Sequence, residues 1–163
     1  MADNSFDIVS EINHQELINA IDQTKRELQT RFDFKGSNAN VESTKDEVTL
    51  TAEDDSKLTQ LKDIFHSKLI KRGISLKALT YQTQEKAAGA TARQKAKIVA
   101  GLDQENIKTI NRLIKDSALK VKTQQMDQKI RVTSSSKNTL QEVMQLLKES
   151  KDITIPLQFN NYR

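Results

Sequence analysis

Hydrophobic and polar positions alternate in some stretches of the chain and recur at helical spacing in others. Period-two alternation predicts strands, and apolar residues three or four positions apart predict amphipathic helices. Predicted strands lie at residues 5–11, 40–44, 47–52, 76–83, 93–100, 119–123, 129–133 and 153–159. Predicted helices begin after Asn13, at residues 54–56, after Asp103 and after residues 134–137. The first helix is predicted to end near residue 30 and the second at Gly73, since glycine favours helix ends.

This order of elements, strand–helix–strand–strand–helix–strand, occurs twice. Shifting the sequence by 80 to 82 residues superimposes apolar positions of the two copies. The matched pairs include Val41 with Val121, Val48 with Ile130, Leu50 with Val132, Leu58 with Leu140 and Leu61 with Val143. Two βαββαβ units are the ferredoxin-like pattern, in which two helices cover one face of a four-stranded sheet and leave the other open. The sequence therefore predicts an α+β protein with tandem ferredoxin-like domains.

The small residues at 84–92, QEKAAGATA, are typical of a linker between the two repeats. We place the first domain at residues 12–101 and the second at residues 102–163. The open sheet face of each domain is the surface on which function is to be sought.

The segment TRFDFKG at residues 30–36 alternates charged and aromatic side chains. In an extended backbone, Phe32 and Phe34 would share one face while Arg31, Asp33 and Lys35 would share the other. Two interpretations are open. The rings are core anchors at the junction of a helix and a sheet, or they form a stacking surface with Arg31 and Lys35 reaching a phosphate.

The composition fits a soluble protein of a reducing compartment. The 163 residues contain no cysteine, which excludes disulfides, zinc–thiolate sites and thiol nucleophiles. The first residues, MADNSFD, are polar and acidic rather than signal-like, and no apolar run approaches the 18 residues of a membrane span. We expect a cytoplasmic protein that has no membrane partner.

The charge of the chain is unevenly distributed along the sequence. The formal net charge is +4, yet residues 1–86 hold 12 Lys+Arg against 15 Asp+Glu, and residues 87–163 hold 14 against 7. The two parts therefore carry net charges of −3 and +7. An anionic partner is expected to meet the second half of the chain.

The patterns that accompany catalysis are absent from the sequence. The four glycines lie too far apart for a GxGxxG or P-loop phosphate cradle, and there is no GxSxG nucleophile motif. His14 and His66 are isolated in predicted helices, so neither is expected to act as a base or ligand. We predict no catalytic residues, no cofactor and no metal site.

The two predicted hairpins differ in the charge of their open faces. The first presents neutral and acidic residues, namely Asn40, Glu42, Glu47, Thr49 and Thr51. The second presents four cations, which we call the predicted basic face, namely Lys120, Lys122, Lys129 and Arg131.

Neither hairpin contains an aromatic residue, which favours phosphate attraction over the base stacking of an RNA-recognition domain. An exchange of strands between the domains could supply rings from Phe6, Phe159 and Tyr162. The alternative interpretation of the predicted basic face is a solvated surface that keeps the protein soluble.

Four segments together resemble the bacterial YajQ family: FDIVSE at 6–11, TRFDFKG at 30–36, KLIKRGI at 68–74 and LIKDSALKVK at 113–122. The resemblance covers essentially the whole chain, although QTQEKAAGATARQKAK at 82–97 departs from the wider family. It implies a cytoplasmic, nucleotide-binding protein of two domains similar to RNA-recognition folds, with relatives that bind cyclic di-GMP and act through a transcription factor. It also implies exchanged first strands, with residues 5–11 in the second domain and 93–100 in the first.

From these observations we predict a protein that binds a nucleotide without converting it. The ligand would be cyclic di-GMP or single-stranded RNA or tRNA, held through its phosphates. The predicted binding residues are Lys120, Lys122, Lys129, Arg131, Arg31, Phe32, Phe34 and Lys35. The alternative is a protein-interaction module that acts with a transcription factor.

Overall fold

The structure of the protein is a computed structural model that describes residues 3–87, 89 and 91–163. Its helices are α1 (His14–Thr30), α2 (Asp55–Lys71), α3 (Gln104–Asp116) and α4 (Lys137–Glu149). Its strands are β1 (Asn4–Val9), β2 (Asn40–Ser43), β3 (Glu47–Ala52), β4 (Leu79–Tyr81), β5 (Glu85–Lys86), β6 (Ala92–Ile98), β7 (Lys122–Met126), β8 (Lys129–Ser134) and β9 (Gln158–Asn160).

Two antiparallel sheets are formed, and each takes its third strand from the other half of the sequence. The strand order is β2-β3-β6-β4 in the first sheet, with β5 also paired to β6, and β7-β8-β1-β9 in the second sheet. In a ferredoxin-like unit this third place belongs to the first strand of the same repeat. Here β6 takes it in the first sheet and β1 takes it in the second, which confirms the α+β fold class with exchanged first strands.

The chain folds into two compact units that do not follow the halves of the sequence. One unit is residues 12–99, and the other is residues 100–163 together with the segment that ends at Glu11. The first unit holds 15 Lys+Arg and 12 Asp+Glu, and the second holds 11 and 10. Their net charges are therefore +3 and +1, because the exchange moves cationic β6 into one unit and three acidic residues into the other.

Each helix begins at a side chain that accepts a backbone hydrogen bond, as polar N-cap residues commonly do. The Asn13 amide oxygen accepts the N–H of Glu16 at 3.1 Å, which confirms the predicted start of α1. The equivalent caps of α2, α3 and α4 are Asp54, Asp103 and Ser136.

Each helix pair buries its apolar stripe against one face of one sheet. The first core joins α1 and α2 to apolar residues of β2, β3 and β6, including Val48, Leu50 and Ala96. The second core joins α3 and α4 to β8 and β1, which contributes the fully buried Phe6 and Ile8. The opposite face of each sheet carries the polar positions.

Several predicted strand limits are wrong. Residues 76–78 form a 3-10 turn before β4, β9 is confined to Gln158–Asn160, and β7 begins at residue 122 rather than 119. A two-residue turn closes the β7–β8 hairpin, and Asp127 in that turn has a left-handed φ of 56°. Within the predicted linker, β5 pairs with β6, while Ala88 and Ala90 lie outside the described residues.

Candidate phosphate-binding surface

The open face of the second sheet carries most of the predicted basic face. Side chains directly opposite one another in antiparallel strands point to the same face. By this register the open face of the three neighbouring strands β7, β8 and β1 presents Lys122, Gln124, Met126, Lys129, Arg131, Thr133, Ser5, Asp7 and Val9. Three of the four predicted cations therefore share this surface, whereas Lys120 precedes β7 and lies in no strand.

Asp7 lies among these cations, and its carboxylate is buried with 1% of the side-chain surface exposed. Arg131 Nε donates to it at 2.9 Å, Asn161 Nδ2 donates at 2.9 Å, and Lys129 Nζ lies at 3.6 Å. The hydrogen bond from Arg131, aided by Asn161 and the charge of Lys129, lowers the pKa of Asp7 below its ordinary value. One internal anion is therefore bound at the centre of the predicted basic face.

Lys129 and Arg131 keep part of their surface accessible despite this pairing. Their side chains are 35% and 38% exposed. Alternation within β8 predicts their position correctly, but it gives no indication of Asp7, which is 124 residues away from Arg131 in sequence. Their positive charge is shared with Asp7, so a ligand would meet a weaker field here than the sequence predicts.

Lys120 and Lys122 lie at the opposite end of β8 from Lys129. Both are exposed, and Lys122 is directly opposite Thr133, while the Lys120 carbonyl accepts a hydrogen bond from the Ser134 hydroxyl at 3.2 Å. They border a cavity of about 400 Å³, whose lining is Asp3, Lys120, Val121, Lys122, Thr133, Ser134 and Ser135. Two exposed lysines, Thr133 and Ser135 thus border one depression, whereas the Ser134 hydroxyl is buried and already bonded to the backbone.

Neither Phe6 nor Phe159 reaches this surface. Phe6 and Phe159 lie on the core side of the sheet, where their rings pack edge to face with centroids 5.5 Å apart. Tyr162 follows β9 and is exposed. The hypothesis that Phe6 and Phe159 complete a stacking surface is therefore wrong, because the parity of β1 and β9 points both rings toward α3 and α4.

The TRFDFKG segment is a turn rather than the strand that its alternation predicts. Residues 32–34 form a 3-10 turn, in which the N–H of Phe34 bonds to the Arg31 carbonyl and the N–H of Lys35 to the Phe32 carbonyl, both at 3.2 Å. The turn sends the two rings in different directions. Phe34 is 3% exposed and belongs to the first core, whereas Phe32 is 90% exposed.

Arg31 is held by two carboxylates of its own unit. Its guanidinium donates to Asp33 at 2.9 and 3.0 Å and to Glu27 at 3.3 Å, and Glu27 also binds Lys68 at 2.8 Å. The hydrogen bond from Arg31 lowers the pKa of Asp33 and that from Lys68 lowers the pKa of Glu27. Arg31 therefore positions the turn, and its charge is already compensated.

Lys35 differs from Arg31 because its exposed side chain borders a second cavity. This cavity has a volume of about 320 Å³, and its polar lining residues are Lys25, Gln29, Lys35, Ser37 and Asn40. The buried ring of Phe34 forms part of the same wall, and Lys57 Nζ lies 5.0 Å above the centre of that ring. Of the predicted residues here, Phe32 and Lys35 face solvent.

The open face of the first sheet is not the neutral-to-acidic surface that its hairpin predicts. The register places Arg93, Lys95 and Lys97 of β6 beside Thr51, Thr49 and Glu47 of β3. Glu85 binds Arg93 at 3.0 Å and Glu47 lies 3.9 Å from Lys95. Cations and carboxylates therefore alternate and largely compensate one another on this face.

One pair of titratable groups is packed between α2 and β4. His66 Nε2 lies 2.6 Å from the Tyr81 hydroxyl, and burial lowers the pKa of His66 and raises that of Tyr81. No group of three potential metal-binding side chains occurs among the described residues. In the same part of the chain, no helix is long and apolar enough to cross a membrane.

Comparison with known proteins places the chain in a family. A family model described as "Nucleotide-binding protein YajQ-like" matches residues 4–163. Similar proteins include one named nucleotide-binding protein from Enterococcus faecalis, 49% identical over 98% of this chain and 96% of its own length. Proteins of the same name from Exiguobacterium and Desulfitobacterium hafniense are 48% identical, over 99% of this chain and 98% of theirs. The chain belongs to the YajQ-like family.

Proposed function

We propose that this protein binds a nucleotide or a single-stranded nucleic acid through phosphate contacts and does not convert it chemically. The observation that carries the proposal is the pair of exposed lysines, Lys120 and Lys122, which border one depression together with Thr133, Ser135 and the acidic residue Asp3. Ammonium and hydroxyl donors are the common partners of phosphate oxygens. The names of the relatives support the same class of ligand.

Lys129 and Arg131 extend this surface along β8. Their side chains are 35% and 38% exposed, while Asp7 fixes the direction of the guanidinium and reduces the net charge. The described strands of this sheet place no aromatic ring on the open face, so recognition rests on phosphates rather than on stacked bases. Cyclic di-GMP, tRNA and single-stranded RNA all offer such phosphates and are the candidate ligands.

The turn at residues 31–35 provides a second contact for the same class of ligand. Phe32 offers an accessible ring and Lys35 an exposed side chain in the same turn, with Arg31 and Phe34 holding the turn. A base can stack on an exposed phenylalanine while the lysine attracts its phosphate.

The test is a double charge reversal, Lys120→Glu with Lys122→Glu, measured by anisotropy with labelled cyclic di-GMP, tRNA and a single-stranded RNA. We expect affinity for the ligand that binds to fall at least about tenfold, and the salt slope for the single strand to shrink by about 0.7 for each phosphate that the variant no longer engages. Lys129 and Arg131 are left intact, because acids at those positions would repel Asp7 and disturb β1.

The matched control is Lys108→Glu with Lys115→Glu on α3. Both lysines are exposed in the same unit, and the reversal changes the net charge by the same amount. If both double variants bind equally, the contribution of Lys120 and Lys122 is only long-range attraction and the assigned surface is wrong. If the unchanged protein binds none of the three ligands, the proposed function itself fails.

A second candidate function, a protein-interaction module that acts with a transcription factor, rests on Phe32. Phe32 is 90% exposed, and aromatic residues are enriched in protein interfaces. Under this alternative, Phe32→Ala would abolish capture of a transcription factor by the purified protein, while the Lys120/Lys122 double reversal would not. The opposite pattern would favour the phosphate-binding proposal.

A further inference from the structure

The two sheets have the same strand arrangement, and β6 and β1 occupy the same place in it. β6 lies between β3 and β4, and β1 lies between β8 and β9. Superimposing the registers matches each residue of 93–97 with one of 5–9. The matched positions are Arg93 with Ser5, Lys95 with Asp7 and Lys97 with Val9 on the open faces, and Gln94 with Phe6 and Ala96 with Ile8 on the core faces.

We infer that the side chains of these two strands determine which sheet each strand enters, through charge on the open face and volume on the core face. This inference is independent of the proposed function. It concerns why the chain adopts the exchanged arrangement, with β6 in the first sheet and β1 in the second, rather than the unexchanged one, with β1 in the first sheet and β6 in the second.

The connection from β1 to α1 is compatible with either arrangement. Residues 10–13 connect β1 to α1, and α1 packs in the first core rather than in the second. In the unexchanged ferredoxin-like pattern, β1 would lie in the first sheet and lead into the same helix. Both arrangements are antiparallel, so the long pairings with β3 and β8 do not distinguish them, whereas the short β5–β6 pairing belongs to the exchanged arrangement.

Charges on the open faces favour the exchange. In the first sheet, Lys97 is directly opposite Glu47 and Lys95 lies 3.9 Å from the same carboxylate. In the second sheet, Lys95 would instead be directly opposite Arg131, next to Lys129. Like charges directly opposite one another destabilise a strand pair, whereas opposite charges stabilise it.

Asp7 shows the same preference from the other side. In the second sheet it is directly opposite Arg131 and is bound by Arg131, Lys129 and Asn161. In the first sheet its position would be opposite Thr49, in the strand that carries Glu47. The carboxylate would lose its two cationic neighbours, Lys129 and Arg131, and would gain the acidic neighbour Glu47.

Volumes on the core faces favour the same choice. Phe6 and Ile8 are fully buried in the second core, where glutamine and alanine would leave a cavity. In the first sheet, Gln94 accepts a hydrogen bond from Lys62 Nζ at 3.0 Å and donates to the Gln82 carbonyl at 2.8 Å. Phenylalanine at that place would overpack the core and leave both partners without Gln94.

The test transplants the two strand sequences, so that residues 5–9 read RQKAK and residues 93–97 read SFDIV in the full-length chain. Composition, length and net charge are unchanged. The natural chain has no cysteine, so paired cysteines can report the strand neighbours without interference. Asn4→Cys with Ser134→Cys reports the exchanged arrangement, because these residues are directly opposite. Asn4→Cys with Ala52→Cys reports the unexchanged one, because Ala52 is opposite Ala92, the counterpart of Asn4.

In the natural sequence we expect a short thiol-bridging reagent to link only residues 4 and 134. In the transplanted chain we expect the link to move to residues 4 and 52. A transplanted chain that folds and still links residues 4 and 134 would show that connections rather than side chains choose the sheet, and would overturn the inference.

A second comparison decides the matter if the transplanted chain does not fold. Asp7→Arg alone places a third cation against Lys129 and Arg131, and we expect Tm to fall by at least about 5 °C and the link between residues 4 and 134 to weaken. Adding Arg131→Asp restores an opposite-charge pair, and we expect it to recover at least half of both losses. An Asp7→Arg chain with unchanged Tm and linkage, or a double variant with no recovery, contradicts the inference.

Discussion

Asp7 illustrates how a single residue changes the properties of a whole surface. Its carboxylate is covered by groups that come from β8 and from the end of the chain, and it neutralises cations that would otherwise face solvent. A buried carboxylate with these partners stabilises β1 in its sheet and limits the attraction of that sheet for phosphates.

We predict that Asp7→Asn lowers the free energy of unfolding by about 2 kcal/mol at pH 7, because charge-assisted hydrogen bonds are removed. Since folding lowers the pKa of Asp7, its contribution is complete above the unfolded value of 3.8 and is lost as the pH falls through the folded value. The difference in the free energy of unfolding between the natural protein and the Asp7→Asn variant is measured by urea unfolding. We therefore expect it to persist from pH 7 to about 4 and to vanish in stronger acid. A difference that grows on acidification would contradict this assignment.

For single residues, alternation in the sequence predicts on which side of β7 and β8 the charged side chains lie. Lys122, Lys129 and Arg131 are found on the open face as alternation requires. The pairing with Asp7 could not be predicted, because alternation describes one strand and says nothing about which distant strand lies beside it. The same limit applies to β6, whose cations compensate the carboxylates on the open face of the first sheet.

The sequence predicts secondary-structure elements best where a side-chain period runs for several turns. All four helices follow from their apolar stripes and capping residues, because burial of one helical face depends on local spacing. The seven residues of TRFDFKG are too few to separate a strand from a turn by alternation. There the hydrogen bonds of a 3-10 turn and the burial of one ring prevail.

The turn provides a matched pair of substitutions. Phe34→Ala is expected to lower the free energy of unfolding by about 3 kcal/mol, because a buried ring is removed from the first core. Phe32→Ala should change it by less than about 0.5 kcal/mol, because that ring is exposed. Urea unfolding of both variants measures the difference. Equal effects would mean that the two rings share one environment.

At the scale of the whole molecule, the two compact units each contain a strand from a distant part of the sequence. Phe6 belongs to the core built mainly from residues 100–163, although α1, which follows it directly, belongs to the other unit. The tandem repeat predicts two similar sheets. The exchange of their third strands is implied by the family resemblance, whereas no periodicity in the sequence indicates it.

We predict that Phe6→Ala and Leu50→Ala weaken different units, although both change residues in the first third of the chain. Phe6→Ala should accelerate amide hydrogen exchange in residues 100–163, and Leu50→Ala should do so in residues 12–99, because each leaves a cavity in one core. Amide hydrogen exchange, measured by mass spectrometry on peptides from both units, gives the comparison. Faster amide hydrogen exchange in residues 12–99 for the Phe6 variant would contradict the assignment of β1 to the second core.

The exchanged strands also have a consequence for synthesis on the ribosome. β1 is made first, but Val132, the residue opposite Phe6, follows more than a hundred residues later. At bacterial elongation rates of about 5–20 residues per second, the apolar side of β1 waits roughly 6–25 s for its neighbour. During that interval the nascent chain carries an unpaired apolar strand, which makes early shielding by a chaperone valuable to this architecture.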